Sequence, residues 1–163
     1  MWHYLIALGS NVRHVRYGSP SRVLAAALVA LAEAGVSVEA AAPAIESAPL
    51  GPSRRRYANG AALVASALEP EAMLALLKRI ERAFGRRSGG QRWGSRVLDL
   101  DIVLWSGGCR VARGLVVPHP AFQQRSFVLE PARRIVPGWR DPLTGLTITH
   151  LAARLRAPTP KES

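Results

Sequence analysis

The sequence predicts an α/β sandwich, a ferredoxin-like βαββαβ sheet, antiparallel or mixed, with helices on its faces. Three observations carry that prediction. Two helix-periodic runs are separated by two strand-like runs. A further strand-like run stands before the first helix and another after the second, which completes the order. The 163 residues are 48% apolar and 20% charged, a globular composition long enough for one domain with a real core, taken as residues 1–163.

Each element has local reasons. "HYLIALGSN" (3–11) is an apolar run broken by Gly-Ser-Asn, a strand that feeds a loop. In "SPSRVLAAALVALAEAG" (19–35) Ser19 is placed to cap, Pro20 suits the first helical position and Gly35 the stop, while Leu24, Leu28 and Leu31 form one stripe. Residues 36–49 read as an extended strand, weakened or bent at Pro43. A basic loop with Arg54, Arg55 and Arg56 leads to an Ala-rich strand at 58–68. "PEAMLALLKRIERAFG" (70–85) starts on Pro70 and stops on Gly85, with Met73, Leu76, Leu77, Ile80 and Phe84 on one face. "RRSGGQR" (86–92) is a polar, basic, glycine-bearing loop, and "VLDLDIVLW" (97–105) is a strand. "SGG" (106–108) is a turn after which 109–118 is expected to return as a hairpin arm. A short helix is expected within 119–137 and a last one at 147–156.

The net charge is +11, and 20 of the 22 basic residues are Arg. Arg presents a planar fork of donors suited to phosphate, so the excess points to an anionic partner, although an Arg-rich, Lys-poor chain also reflects a GC-rich genome. Cys109 is the one cysteine, which excludes an internal disulfide and a cysteine metal cluster. The first residues do not read as a signal peptide, and Val23–Ala34 is too short to span a bilayer; a cytoplasmic monomer is expected. No P-loop, G-x-G-x-x-G or H-E-x-x-H is present.

The chemistry is concentrated in "RWGSRVLDLDIV" (92–103), which holds two of only three aspartates. In a strand, residues i and i+2 share a face, so Asp99 and Asp101 point the same way, roughly 7 Å apart at Cα, and Leu98, Leu100 and Ile102 point into the core. Carboxylates about 6 Å apart repel by about 2–3 kcal/mol at an effective dielectric near 20. A cation removes that cost, and a divalent metal and a nearby Arg are both candidates. An oxygen-only ligand set favours Mg²⁺ over Zn²⁺, with phosphates and water completing the shell. Together with Arg92, Arg96 and the basic loop, the pair suggests metal-assisted phosphoryl transfer. The residues alone leave this open beside a metal-free pair neutralised by Arg.

The twelve residues Arg92 to Val103 resemble the signature of 6-hydroxymethyl-7,8-dihydropterin pyrophosphokinases. Further landmarks follow in order: "ALGSN" (7–11), "SAPLGP" (47–52), "YANGA" (57–61), "RIERAFGR" (79–86), "VPHP" (117–120) and "RSFVLEP" (125–131). The resemblance runs from about residue 4 to about 155. It implies a ferredoxin-like fold with three flexible catalytic loops, matched here by 11–21, 47–58 and 85–96. It implies transfer of the terminal diphosphate of ATP to the hydroxymethyl group of a dihydropterin, with release of AMP, as a step of folate biosynthesis.

Roles follow from the same resemblance. Asp99 and Asp101 match ligands of two Mg²⁺. Tyr57, Asn59, Trp93 and Phe127 match the pterin pocket, and Ser47, Ala48 and Leu50 a segment whose backbone contacts the pterin. Flat rings favour stacking on a pterin, and an amide side chain offers both a donor and an acceptor. Core packing is the alternative for each aromatic. Arg86, Arg92, Arg96, His119 and Arg125 match phosphate-handling positions, Arg86 and Arg92 as catalytic loop residues that close over the phosphates. Trp93 also matches an ATP position. Lys78 and Glu81, three apart on a helix, match ATP-side positions, with a surface ion pair as the alternative for Glu81. Ile102 matches an adenine contact.

The chain departs from the family pattern at Ser88, Gly114, Val116 and Pro120 and in the Arg54–Arg56 run. These changes bear on ATP affinity and rate rather than on the reaction class. A divergent, weakly active relative is therefore one alternative. A basic nucleic-acid-binding module is another, but it leaves the paired aspartates unexplained.

Overall fold

The computed structural model describes residues 1–11, 17–47, 57–85 and 97–157. The expected strand–helix order is present. β1 (Trp2–Ser10) leads to α1 (Pro20–Glu33), β2 (Ser37–Ala41), β3 (Ile45–Ser47), β4 (Tyr57–Ser66), α2 (Pro70–Gly85) and β5 (Asp99–Trp105). The second strand of the βαββαβ order is divided into β2 and β3 around Pro43, and both pieces pair antiparallel with β4. Across the sheet the order is β2-β4-β1-β5, every pairing being antiparallel.

Helix boundaries follow the sequence signals, with one correction. Ser19 stands at the N-cap of α1 in extended backbone, but its side chain makes no capping bond. At the other end Gly35 takes a φ of 88°, which a β-carbon disfavours. The Gly35 and Val36 N–H groups then donate to Ala32 and Leu31 carbonyls, both at 3.1 Å, and close the helix. α2 buries Met73, Leu76, Leu77, Ile80 and Phe84, the stripe its periodicity predicts.

The C-terminal third differs from expectation in one element. Residues 109–118 do not return along β5. β6 (Arg110–Ala112) and β7 (Leu115–Val117) instead pair with each other about Gly114, at φ 73°. A two-residue turn closes this small ribbon locally, at a lower entropic cost than a longer return. A 3-10 turn at Phe122–Gln124, α3 (Ser126–Ile135) and α4 (Ile148–Arg156) follow. Thr147 caps α4 through its hydroxyl, which accepts the His150 N–H at 3.1 Å.

The sheet thus separates two apolar layers. Tyr4, Ile6, Leu8, Leu100 and Ile102 pack with α1 and α2. Leu5, Ala61, Val103 and Leu104 pack with Phe122, α3 and α4 on the other face. Both Val103 and Leu104 join the second layer because the β1–β5 register slips there: Leu5 pairs with Leu104 and Ile6 with Ile102. Among the described residues no helix is long and apolar enough to cross a membrane.

Candidate active site

On the α3/α4 face the sheet is covered only as far as α3 reaches. Beyond the start of that helix the same face lies open as a cleft of about 800 Å3. Its floor is the ends of three adjacent strands. Gly9 of β1 pairs with Asn59 of β4 on one side and Asp99 of β5 on the other, and Ala7 pairs with Asp101. Tyr57, Arg125, Ser126 and Phe127 complete the walls.

The period of two places both aspartates in this cleft while Leu100, between them, is 1% exposed in the opposite layer. Gly9 is the small residue that keeps the floor low. A β-carbon there would sit 3.4 Å from the Asn59 Oδ1 and 4.0 Å from the Asp99 Cβ, so any larger side chain would rise into the space between them. At the end of β1 the Asn11 Oδ1 is buried without a hydrogen-bond partner among the described residues. The two carboxylates make an acidic end of the cleft, the donor chemistry of a hard cation such as Mg²⁺. No group of three or more His, Cys, Asp or Glu able to hold a metal occurs among the described residues, so a bound ion would take further ligands from substrate or water.

The expected site residues separate into groups. Asp99, Asp101, Tyr57, Asn59, Phe127 and Arg125 all line the one cleft. Tyr57 and Phe127 are 39% and 49% exposed, so core packing does not account for either ring. The Arg125 guanidinium lies 5.6 Å from the Phe127 ring centre, a cation–π contact that holds both side chains at the mouth. The Ser47 backbone pairs with Tyr57 at the end of β3.

His119 reaches this region by way of the β5 irregularity. Its backbone N–H donates to the Val103 carbonyl at 3.0 Å. Its Nδ1 accepts the Ala121 N–H at 3.2 Å, which leaves Nε2 as the ring position open to a ligand. Burial pushes its pKa below the ordinary value; nearby Asp101 opposes this and Arg125 adds to it.

Lys78, Glu81 and Ile102 lie elsewhere. The Ile102 side chain is 4% exposed within the α1/α2 layer, so an adenine contact would have to come from its main chain. Glu81 is more than a surface ion-pair partner. It stands 3.6 Å from the Lys78 Nζ and accepts the Leu100 N–H at 2.8 Å. That bond ties α2 to β5 at the residue between the two aspartates. Burial raises the Glu81 pKa, the Leu100 N–H and Lys78 oppose the rise, and Asp99 and Asp101 add to it. Ala48, Leu50, Arg86, Arg92, Trp93 and Arg96, with Ser88 and Arg54–Arg56, lie outside the described residues.

Sequence reasoning did not assign Gly9, Asn11 or Ser126 to the site. The signals were the landmarks "ALGSN" and "RSFVLEP", which hold these three residues without singling any of them out.

A family model described as 7,8-dihydro-6-hydroxymethylpterin-pyrophosphokinase matches residues 5–137. The chain is 35% identical over 147 residues to the 2-amino-4-hydroxy-6-hydroxymethyldihydropteridine pyrophosphokinase of Synechocystis sp., covering 90% of this chain and 73% of that one. It is 37% identical over 139 residues to the protein of the same name from Pseudomonas aeruginosa, covering 84% and 82%. Its fold resembles the crystal structure of Plasmodium falciparum HPPK-DHPS, with a TM-score of 0.70 at 13% identity over 94% of this chain and 41% of that longer one. The match to the family model over most of the chain and the identity to these two relatives establish that this chain belongs to the 7,8-dihydro-6-hydroxymethylpterin-pyrophosphokinase family.

Proposed function

We propose that the chain transfers the terminal diphosphate of ATP to the hydroxymethyl group of 6-hydroxymethyl-7,8-dihydropterin and releases AMP. The observation that carries this reading is the convergence of Asp99, Asp101, Arg125, Asn59, Tyr57 and Phe127 on one cleft. It joins an acidic end to an aromatic end with an amide, which suits a metal-bound phosphate chain beside a flat heterocycle.

In this reading the pterin lies between Tyr57 and Phe127, with Asn59 meeting its amide edge. The phosphates lie by Asp99 and Asp101, with Arg125 and the open Nε2 of His119 donating to their oxygens. The nucleoside continues over the outer edge of β5 toward Lys78 and Glu81. The hydroxymethyl oxygen attacks the β-phosphorus, the bond from that phosphorus to the α-phosphate bridging oxygen breaks, and the hydroxyl proton passes to solvent. Two Mg²⁺, when bound by Asp99 and Asp101, would supply charge neutralisation along the phosphates. Positioning and screening are then the protein's main contributions, and neither aspartate is required as a base. Arg86 and Arg92 are assigned to closure over the phosphates, Arg96 to an ATP phosphate, Trp93 to both the pterin pocket and the ATP side, and Ala48, Leu50 and the Ser47 backbone to the pterin side.

The test is product identity. With ATP, Mg²⁺ and the dihydropterin, the expected nucleotide product is AMP, dependent on the pterin. ADP, or AMP released without pterin, would overturn the reading. Asp99→Ala and Asp101→Ala are each expected to lower the rate about a thousandfold or more by removing a charge-stabilising ligand. A variant near wild-type activity would remove that aspartate from the metal site.

A further inference from the structure

Two of the three aspartates face the cleft. The third, Asp141, is 0% exposed and lies in the connection between α3 and α4. Its Oδ1 accepts the Leu143 N–H at 3.0 Å, and its Oδ2 accepts the Thr144 hydroxyl at 2.8 Å and the side-chain amide of Gln123. Its own N–H donates to the Leu146 carbonyl at 2.8 Å, and its carbonyl accepts the Gly145 N–H at 2.7 Å. Closing this loop uses the local bonds alone. The bond from Gln123 is different, because it reaches back 18 residues to the 3-10 turn.

That turn joins two residues of the proposed phosphate end. The Phe122 N–H donates to the His119 carbonyl at 3.2 Å, and the Arg125 N–H donates to the Phe122 carbonyl at 3.3 Å. The Arg125 carbonyl in turn accepts the Val128 and Leu129 N–H groups, both at 3.0 Å, and so starts α3. Phe122, 1% exposed, anchors the turn by apolar packing, which is not directional. A hydrogen bond to a buried carboxylate is directional and fixes orientation. Burying a carboxylate is costly, and an apolar side chain would serve packing alone at least as well.

We propose that Asp141 is a positioning residue for the nucleotide end of the site: through Gln123 it sets the turn that holds His119 and Arg125 in register. The inference rests on the pyrophosphokinase reading. Gln123→Met keeps the length of the side chain and removes the donor. Gln123→Glu sets two carboxylates against each other, and adding Asp141→Asn restores a donor–acceptor pair with the polarity reversed.

The experiment measures KM for both substrates, kcat and the unfolding midpoint in wild type, the two Gln123 variants and the double variant. Misplacing the phosphate-side donors is expected to raise KM for ATP about tenfold in each Gln123 single variant, with KM for the pterin within about twofold. The double variant is expected to return to within about threefold of wild type. A purely structural role would lower the unfolding midpoint and the active fraction while leaving both KM values unchanged, and that result overturns the inference. Failure of the double variant to recover overturns it as well. A wild type that forms no pterin-dependent AMP overturns the pyrophosphokinase reading and this inference with it, whereas an active wild type with insensitive variants overturns this inference alone.

Discussion

The two ends of β5 put the same strand to opposite uses. At its start Asp99 and Asp101 are half-buried in an open cleft, over a floor kept low by Ala7 and Gly9. At its finish Trp105 is 7% exposed, 4.9 Å from the Trp2 ring, with the Arg110 guanidinium 5.8 Å from its own ring centre. Gly107 lies so close to that indole that a β-carbon would fall 2.4 Å from it. Tyr4, fully buried beside this end, donates its hydroxyl to the Leu68 carbonyl, and burial pushes its pKa up to about 12. One end sets polar groups on an open cleft and the other packs aromatic rings against one another, with the Trp105 Nε1 buried among them. The difference teaches that the strand itself does not make a site; the site lies where the covering layer stops.

The contrast gives an experiment in which the two ends exchange outcomes. Trp105→Ala is expected to cost about 3–5 kcal/mol of stability, as for other large-to-small changes of a buried aromatic, while the folded fraction keeps its specific activity. The aspartate variants are expected to do the reverse, losing turnover with little change in unfolding midpoint. Chemical denaturation and initial rates on the same samples check both, and an inactive but stable Trp105 variant would break the division.

A smaller effect is expected at the floor. Gly9→Ala places its β-carbon at ordinary contact distance and is expected to be nearly silent. Gly9→Val adds two methyl groups between Asn59 and Asp99 and is expected to raise KM for the pterin about tenfold, by loss of the fitted pose. Equal effects of Ala and Val would mean that the floor does not carry the ring.

The smallest effect concerns pH. Because burial holds His119 below the ordinary 6.5, the unfolded imidazole takes up its proton first as pH falls. The folded state therefore loses this contribution as pH drops through 6.5 toward the lowered value. Above 6.5 the ring is neutral in both states. Denaturation of wild type and His119→Gln between pH 8 and pH 5 is expected to show wild type losing more stability on acidification. Parallel profiles would place His119 in a more solvated setting.

Much of this was legible before the fold. The stripes of α1 and α2, their proline starts and the break at Pro43 are written in neighbouring residues, because helix and strand periods are local properties. So is the shared direction of Asp99 and Asp101. The β6–β7 ribbon was not legible, since the same apolar residues pair as well with β5 as with each other. Nor was the absence of a side-chain cap at Ser19, because a cap needs the hydroxyl oxygen aimed at a helix N–H and the residue type does not fix that rotamer.

By itself, then, the sequence determined the order of elements, the face of each strand and the family landmarks, all of which depend on residues a few positions apart. Only the tertiary structure decided that α3 stops short of Gly9, Asn59 and Asp99, that His119 is tied by its N–H to the Val103 carbonyl at the register slip, and that Asp141 is sealed against Gln123. Those outcomes depend on which distant surfaces exclude water from one another. Contacts of that kind leave no period in the chain, because the partners are brought together by the packing of whole layers.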